Sequence, residues 1–204
     1  MKVAIGHDSH RFLAGAEGAG RAESAGGAVR TDGGAGRADG GDGGNGGDGL
    51  ARASGAERAN RLDRAAKPLL LGGVPFGGAP PLDGNSDADV VLHALCNAIS
   101  GLTGVNILGG AADRMCLIDG ISDSEAYVRE ALRHMGGARL AHLSFSIECA
   151  RPKIAPRLEA MRDNIARIAG LPRSSVGITA TSGEGLTDFG RGLGIQAFCI
   201  ATAE

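Results

Sequence analysis

The stretch LSFSIEC, residues 143–149, alternates apolar and polar side chains and gives the clearest indication of the fold class. Such period-two alternation predicts a half-buried β-strand. The chain continues through Pro156–Ala169, an amphipathic segment whose proline suits the first turn of a helix. Two more apolar segments, Val176–Thr181 and Gly194–Thr202, again predict strands. Strands and a helix in close succession indicate a protein of mixed α and β structure.

The segments before this stretch contain the remaining predicted elements. Val3–Gly6 predicts a short strand that ends at the sequence HDSH, and Leu69–Phe76 predicts a strand that turns back at its paired glycines. A helix is expected to begin with Ser86 as its N-cap, because SDAD resembles a capping box, and Asp123–Met135 predicts a second amphipathic helix. We therefore predict an α/β sandwich in which three helices cover one face of a mixed four-stranded sheet.

Residues 14–66 differ in composition from the rest of the chain. They contain 16 of its 36 glycines and no aromatic side chain, and beyond alanine their only apolar residues are Val29, Leu50 and Leu62. Such a segment buries too little apolar surface to offset the entropy of ordering it. We expect one domain over residues 1–204, interrupted at about 14–66 by a disordered Gly/Ala-rich insertion. A glycine-rich phosphate loop is the less favoured alternative, because no strand and helix flank these glycines closely.

Charge and cysteine content exclude several functional classes. The 21 basic and 23 acidic residues nearly cancel, which provides no basic surface for nucleic acid or an anionic membrane. No apolar run approaches the length of a transmembrane helix, and the N-terminus lacks the apolar core of a signal peptide. The four cysteines form no CxxC pair, so we expect a reducing cytoplasm rather than a zinc ribbon or a disulfide framework.

Asp8 and His10 lie two residues apart at the end of the first predicted strand, so both side chains point to the same side. His93 lies on the predicted helix that follows, on one face with Asp89 and Asn97. One carboxylate and two imidazoles are a common ligand set for catalytic zinc, with a fourth position left for water or substrate. By spacing alone, the alternative is that these histidines are hydrogen-bonded structural residues.

A second polar cluster, Thr181-Ser182-Gly183-Glu184, follows the predicted strand that ends near residue 181. Its hydroxyl and backbone N–H groups are suited to holding phosphate oxygens, and Glu184 is suited to binding a Mg²⁺ ion that bridges them. Arg191, between two glycines, is suited to bidentate phosphate binding. The alternatives are an ordinary polar turn and a solvated loop charge.

Six segments of the chain occur in the order found in a known enzyme family. They are GHDSH (6–10), LLLGGVPF (69–76), NSDADVVLHAL (85–95), SDSEAYVREAL (122–132), RPKIAP (151–156) and ATSGEGLTDFGRGLGI (180–195). Together they resemble the 2-C-methyl-D-erythritol 2,4-cyclodiphosphate synthases of the non-mevalonate isoprenoid pathway, over nearly everything outside residues 14–66. The resemblance implies a lyase that forms homotrimers of α/β subunits, with active sites between neighbouring subunits.

The resemblance also implies a substrate and a role for each site residue. The substrate is 4-diphosphocytidyl-2-C-methyl-D-erythritol 2-phosphate, whose 2-phosphate attacks the β-phosphorus and releases CMP. Asp8, His10 and His93 match the ligands of a divalent metal, usually zinc, and Glu184 matches a ligand of Mg²⁺ or Mn²⁺ on the diphosphate. Asn85 and Ser182 match positions that stabilise the transition state. The matching substrate-binding positions are Ser86, Asn106, Cys149, Pro152, Lys153, Ile154, Thr181, Ser182, Gly183 and Arg191.

Besides the insertion at about 14–66, in a loop that is short in the family, the chain departs from the family pattern at three places. Asn85 stands where the family has histidine, and Asn106 falls near the aspartate of the family's Asp-Ile-Gly segment. The family's aromatic residue near the trimer axis falls at Asp188 or Phe189. These changes leave two alternatives open: a non-catalytic trimer that binds a nucleotide or isoprenoid diphosphate, and an enzyme with the same chemistry on another nucleotide diphosphate.

Overall fold

The computed structural model describes residues 1–13 and 67–204, so the insertion predicted at 14–66 lies outside the described residues. The elements of the described part are numbered in chain order. They are β1 (Lys2–Arg11), β2 (Leu69–Leu71), β3 (Val74–Phe76), α1 (Val90–Thr103), α2 (Gly110–Leu117), α3 (Ser124–Arg133), β4 (Leu140–Glu148), α4 (Leu158–Ala169), β5 (Val176–Thr181) and β6 (Gly194–Ala203).

The main sheet has the strand order β1-β6-β4-β5. β4 and β5 are parallel, β6 runs antiparallel to both β1 and β4, and β2 and β3 form a separate hairpin. The predicted mixed four-stranded sheet is therefore confirmed. Because of these strand directions, the C-terminal ends of β1, β4 and β5 lie at the same end of the sheet as the start of β6.

Helix α1 packs closely against β1 because a glycine of the strand faces it. A Cβ atom at Gly6 would lie 2.1 Å from the carbonyl oxygen of Ala94 and 2.3 Å from the amide nitrogen of Ala98. One turn further along α1, a Cβ at Gly101 would lie 3.0 Å from the Cβ of Ala4. Small residues on both elements thus allow the helix backbone to contact the strand directly.

Helix α1 begins at Val90 with Asp89 as its N-cap, so the prediction that Ser86 is the N-cap is wrong. The Asp89 carboxylate accepts hydrogen bonds from the amides of the second and third helical residues, each at 3.1 Å. Ala88 has a φ of 55°, which is left-handed backbone and cannot continue a right-handed helix. Ser86 therefore lies in the loop before α1 and not in the helix.

Asp89 also connects α1 to the β2–β3 hairpin. Its carboxylate accepts from the amide of Gly72 at 2.9 Å and from that of Gly73 at 2.6 Å, both in the hairpin turn. Although Asp89 was expected on one helix face with His93 and Asn97, its carboxylate hydrogen-bonds to backbone amides of the hairpin turn and of α1. The Asn97 side chain donates instead to the carbonyl oxygen of His7, at 3.0 Å.

Other element boundaries differ from the predicted ones for local reasons. β1 continues past Gly6 to Arg11 because it pairs with β6 along its whole length. The two later predicted helices exist as α3 and α4, and α3 begins after Asp123 as its N-cap. Helix α2 was not predicted, because its sequence GAADRMCL has a glycine at the start and no side-chain cap. None of the described helices combines the length and apolar character that a membrane crossing requires.

The face of the sheet away from the helices carries exposed apolar side chains on β1 and β6. Val3 and Ile5 of β1 and Phe198 and Ile200 of β6 all point outwards, with between 37% and 64% of their surface accessible. His7 stacks on Phe198 with ring centroids 4.4 Å apart, so it lies on the opposite side of β1 from Asp8.

Candidate metal centre and active-site cavity

Asp8 and His10 of β1 meet His93 of α1 near the C-terminal end of β1. The Asp8 Oδ2 atom lies 3.1 Å from His10 Nε2 and 2.9 Å from His93 Nδ1. The two imidazole nitrogens are 3.3 Å apart. Four-coordinate zinc with bonds of about 2.0–2.1 Å places its ligand atoms roughly 3.3 Å apart, so this metal triad (Asp8, His10 and His93) has nearly the size of a zinc site.

The hydrogen-bond partner of His10 determines which of its nitrogens is free to bind a metal. His10 Nδ1 lies 2.9 Å from the carbonyl oxygen of Asp83, an atom that can only accept. Nδ1 therefore carries a proton, and Nε2 is the nitrogen that faces Asp8 and is available to a metal. A carboxylate oxygen and an imidazole nitrogen 3.1 Å apart hold either a shared proton or a metal cation between them. The residues present thus fit a divalent metal.

The electrostatics of the metal triad also favour a bound cation. Burial lowers the pKa of His10, but the hydrogen bond and charge of Asp8 outweigh it, and the pKa lies above that of an ordinary histidine. Burial raises the pKa of Asp8, but hydrogen bonds from His10 and His93 outweigh it, and the pKa falls well below its usual range. Asp8 is therefore an anion at neutral pH, and it attracts a proton or a metal ion to the triad.

The metal triad opens into a cavity of about 410 Å³. Asn85 and Ser86, both predicted site residues, line this cavity, and the Ser86 hydroxyl lies 3.4 Å from His93 Nε2. Asn106 is exposed before α2 and is not part of the lining. The lining also contains residues that the sequence patterns did not single out: Leu108, Ala112, Cys116 and Tyr127. Of these, only Tyr127 carries a signal in the sequence, as the single tyrosine of the chain.

A second, smaller cavity of about 210 Å³ lies at the C-terminal ends of β4 and β5. Segments 149–154 and 181–182 meet there because these strands are parallel neighbours. Beside it, the Gly183 amide donates to Thr181 Oγ1 at 3.1 Å. The lining offers hydroxyl groups, a lysine and apolar side chains, which suits an anionic ligand with a flat apolar part. It includes six predicted substrate-binding residues: Cys149, Pro152, Lys153, Ile154, Thr181 and Ser182.

Glu184 and Arg191 lie in the loop between β5 and β6. Glu184 has a φ of 50°, and one of its carboxylate oxygens accepts from the Ser182 hydroxyl at 3.2 Å. A left-handed conformation in a residue other than glycine costs energy, and such strain clusters at functional sites. The Arg191 guanidinium is bound within the same loop, to the carboxylate of Asp188 at 2.7 Å. Arg191 therefore stabilises the conformation of the loop that contains Glu184.

The two cavities lie at the same end of the sheet but toward its opposite edges. Asp8 and His10 belong to the edge strand β1, whereas segments 149–154 and 181–184 follow β4 and the other edge strand, β5. With about 4.8 Å between neighbouring strands, three strand spacings separate the edges by roughly 14 Å. Within one chain, the metal triad and the second cavity therefore belong to separate pockets.

Known proteins resemble this chain in both sequence and fold. Residues 57–204 match the sequence model of the YgbB family. A 2-C-methyl-D-erythritol 2,4-cyclodiphosphate synthase from Chlamydia trachomatis serovar L2b (strain UCH-1/proctitis) is 48% identical over 141 residues, which cover 69% of this chain and 79% of that protein. The synthase of the same name from Chlamydia caviae (strain ATCC VR-813 / DSM 19441 / 03DC25 / GPIC) is 48% identical over 141 residues, covering 69% of this chain and 80% of that protein.

A solved structure of a 2C-methyl-D-erythritol-2,4-cyclodiphosphate synthase has the same fold. It aligns with a TM-score of 0.64 at 22% sequence identity and covers 100% of both chains. The family match includes α1 with His93 and the strands β4, β5 and β6, and the curated relatives extend over most of the same region. On this sequence evidence, the chain belongs to the YgbB family.

Proposed function

We propose that this chain is a metal-dependent phosphorus–oxygen lyase that converts 4-diphosphocytidyl-2-C-methyl-D-erythritol 2-phosphate into 2-C-methyl-D-erythritol 2,4-cyclodiphosphate and CMP. Relatives named for this synthase are 48% identical to the chain. The observation that carries the proposal is the group of Asp8, His10 and His93 at a cavity of about 410 Å³, a volume suited to a phosphorylated polyol.

The metal triad is the part of the site that would hold a divalent metal. We propose zinc, because one carboxylate and two imidazoles leave a fourth coordination position open. When bound, such an ion supplies positive charge that polarises a phosphoryl oxygen. The contribution of the chain is to fix three ligands from two elements, Asp8 and His10 on β1 and His93 on α1, before substrate arrives.

Asn85 and Ser86 complete the polyol side of the site from the loop before α1. The Ser86 hydroxyl accepts from the Ala88 amide at 3.1 Å, so its own hydrogen can be donated to an oxygen of the 2-phosphate. We assign to the Asn85 amide the donation of a hydrogen bond to the transferring phosphoryl group. An amide replaces the family's imidazole as a donor without its positive charge, so Asn85 orients the phosphoryl group more than it neutralises it.

We assign the second cavity to the cytidine and diphosphate part of the substrate. Lys153 is placed to offset phosphate charge, and the hydroxyls of Thr181 and Ser182 are placed to donate to phosphate oxygens. Glu184, beside Ser182, would hold Mg²⁺ or Mn²⁺, since both ions prefer oxygen ligands, and the ion would supply positive charge to the substrate diphosphate. With the phosphates held on both sides, the 2-phosphate oxygen lies in line with the β-phosphorus and CMP is the leaving group.

We propose that the active enzyme is a homotrimer in which neighbouring chains share each site. Two features support it. The metal triad and the second cavity lie toward opposite edges of one sheet, so a neighbouring chain can bring its second cavity to the triad. The open sheet face with Val3, Ile5 and Phe198 offers apolar surface for association.

All four cysteines lie in the described residues as free thiols, and we propose a reducing cytoplasmic location.

The test is direct conversion of the diphosphocytidyl substrate with Zn²⁺ and Mg²⁺, followed by ³¹P NMR. Appearance of CMP together with the cyclic diphosphate supports the proposal, and His93→Ala is the control that should show neither. The second candidate, the same chemistry on another nucleotide diphosphate, is favoured by Asn85 at the family's histidine position. A zinc-loaded protein that leaves the standard substrate intact but releases CMP from another cytidine diphosphate ester would establish that second candidate.

A further inference from the structure

We infer that Ser124, held by Asp87, is a positioning residue that selects the metal-binding form of His93. The inference rests on the metal site of the proposed function and adds two residues that none of the sequence patterns singled out. Ser124 is fully buried at the start of α3, and Asp87 lies in the loop before α1. Neither residue faces the metal-binding nitrogen of His93, so both act through the imidazole ring.

The His93 ring is held at both of its nitrogens. Nδ1 lies 2.9 Å from Asp8 Oδ2, inside the metal triad. Nε2, on the other side of the ring, lies 2.9 Å from the hydroxyl oxygen of Ser124. His93 is only 7% exposed, which limits competition from water. A neutral imidazole carries its proton on one of these nitrogens, and metal binding requires that it is not Nδ1.

The hydrogen count at Ser124 determines where that proton lies. A serine hydroxyl has one hydrogen, and Ser124 donates it to the Asp87 carboxylate, which can only accept. Ser124 Oγ therefore presents lone pairs to His93 Nε2, and Nε2 must donate. The Ser86 hydroxyl, which could donate to the same nitrogen, is more distant at 3.4 Å. A neutral His93 with its proton on Nε2 directs the Nδ1 lone pair into the metal triad, whereas Asp8 Oδ2 at 2.9 Å competes for the proton from the Nδ1 side.

Backbone groups hold Asp87 in the orientation that this arrangement needs. The Ser124 amide donates to Asp87 Oδ2 at 3.0 Å, and the Asp89 amide donates to Oδ1 at 3.2 Å. The Asp87 amide in turn donates to the carbonyl oxygen of Ser122 at 2.8 Å. These contacts join the start of α3 to the loop before α1, so the carboxylate that accepts from Ser124 is fixed from both sides.

The test compares Ser124→Ala with Ser124→Thr in the full chain. Without an acceptor at Nε2, the imidazole can carry its proton on Nδ1, where it bonds to Asp8 and blocks the metal. In competition with a chromophoric chelator, Ser124→Ala should bind Zn²⁺ about 10–100-fold more weakly, whereas Ser124→Thr keeps the hydroxyl and should stay within about threefold. Long-range ¹H–¹⁵N NMR of the metal-free protein should show a larger fraction of His93 protonated at Nε2 in wild type and Ser124→Thr than in Ser124→Ala, where the proton stays on Nδ1 beside Asp8.

Asp123→Ala is the matched control for general loosening of α3. Its carboxylate caps the same helix by accepting from the Glu125 amide at 2.8 Å, without contact to His93. It should leave both the affinity and the protonated nitrogen unchanged. An equal loss of Zn²⁺ affinity in Asp123→Ala, or unchanged affinity and tautomer in Ser124→Ala, would overturn the inference.

A second variant covers the case in which Ser124→Ala does not fold. Asp87→Asn removes the charge that fixes the Ser124 hydroxyl, so the same shift of the His93 proton and a smaller loss of Zn²⁺ affinity are expected. An unchanged tautomer and affinity in Asp87→Asn would count against the inference. Turnover is measured separately: a wild-type chain that binds Zn²⁺ with His93 protonated at Nε2 but releases no CMP refutes the proposed function and supports the role of Ser124.

Discussion

Replacing Asp89 by alanine should lower the free energy of unfolding by about 3 kcal/mol, more than the loss of an ordinary helix cap. The two α1 amides account for about 1 kcal/mol of this. The Gly72 amide is buried and loses its acceptor at 2.9 Å, which costs about 1–3 kcal/mol more. The exposed Gly73 amide finds water instead. Burial raises the pKa of the Asp89 carboxyl above its usual range, so removing this poorly hydrated group recovers part of the loss.

The matched control is again a helix N-cap, Asp123→Ala, because Asp123 is exposed and accepts a single amide hydrogen bond from α3. Its loss should be about 0.5–1 kcal/mol. Both variants are compared with wild type by urea unfolding, metal-free and at equal protein concentration. Hydrogen exchange at Gly72 should accelerate in Asp89→Ala alone. If Asp89→Ala loses no more stability than Asp123→Ala, the reasoning that Asp89 joins the hairpin to α1 is refuted.

Three further predictions concern the metal triad and the loop before α1. His93→Ala should lose bound zinc and turnover while keeping the far-UV circular dichroism of wild type, and stoichiometric zinc in the purified variant would contradict the assignment. Zinc affinity should fall as the pH drops from about 8 to about 6, because the pKa of His10 lies above the ordinary value and protons compete for Nε2; a chelator titration that is flat over this range would disagree. Ala88→Gly should change the unfolding free energy by less than about 1 kcal/mol, because relief of left-handed strain worth about 1–2 kcal/mol is offset by the lost burial of one methyl group, about 0.8 kcal/mol, and by the unfolded-chain entropy of glycine, about 0.5–1 kcal/mol; a larger loss of stability by urea unfolding would argue against strain at this residue.

Regularities within single elements were enough to predict much of the fold and part of the site. The alternation in LSFSIEC and the apolar segments after it predicted β4, β5 and β6, and the structure confirms the mixed sheet. The period of two along β1 predicted that Asp8 and His10 face the same side, and both reach the metal triad. His93 is 83 residues from His10, so its place beside them could be argued from resemblance but not from spacing.

Features that depend on several elements at once escaped prediction. Ser86 and Asp89 are both good N-cap residues, and the left-handed Ala88 between them decides in favour of Asp89. No propensity scale predicts that conformation for alanine. Ser124 and Asp87 are 37 residues apart, and their contact depends on how α3 packs beside the loop before α1. Hydrogen counting at a buried hydroxyl requires coordinates, so the supporting contacts of His93 could not be read from the chain.

Because Gly6 contacts α1 directly, the distances within the metal triad depend on the separation between β1 and α1. Asp8 follows Gly6 on the same side of β1, and His93 immediately precedes Ala94, whose carbonyl occupies the space where a Cβ at Gly6 would lie. A methyl group there would push α1 outwards and carry His93 Nδ1 away from Asp8. Metal–ligand bonds tolerate deviations of only about 0.2 Å. For the zinc site that we propose, affinity should therefore depend on how closely α1 lies on the sheet, a distance set by Gly6, which is not itself a ligand.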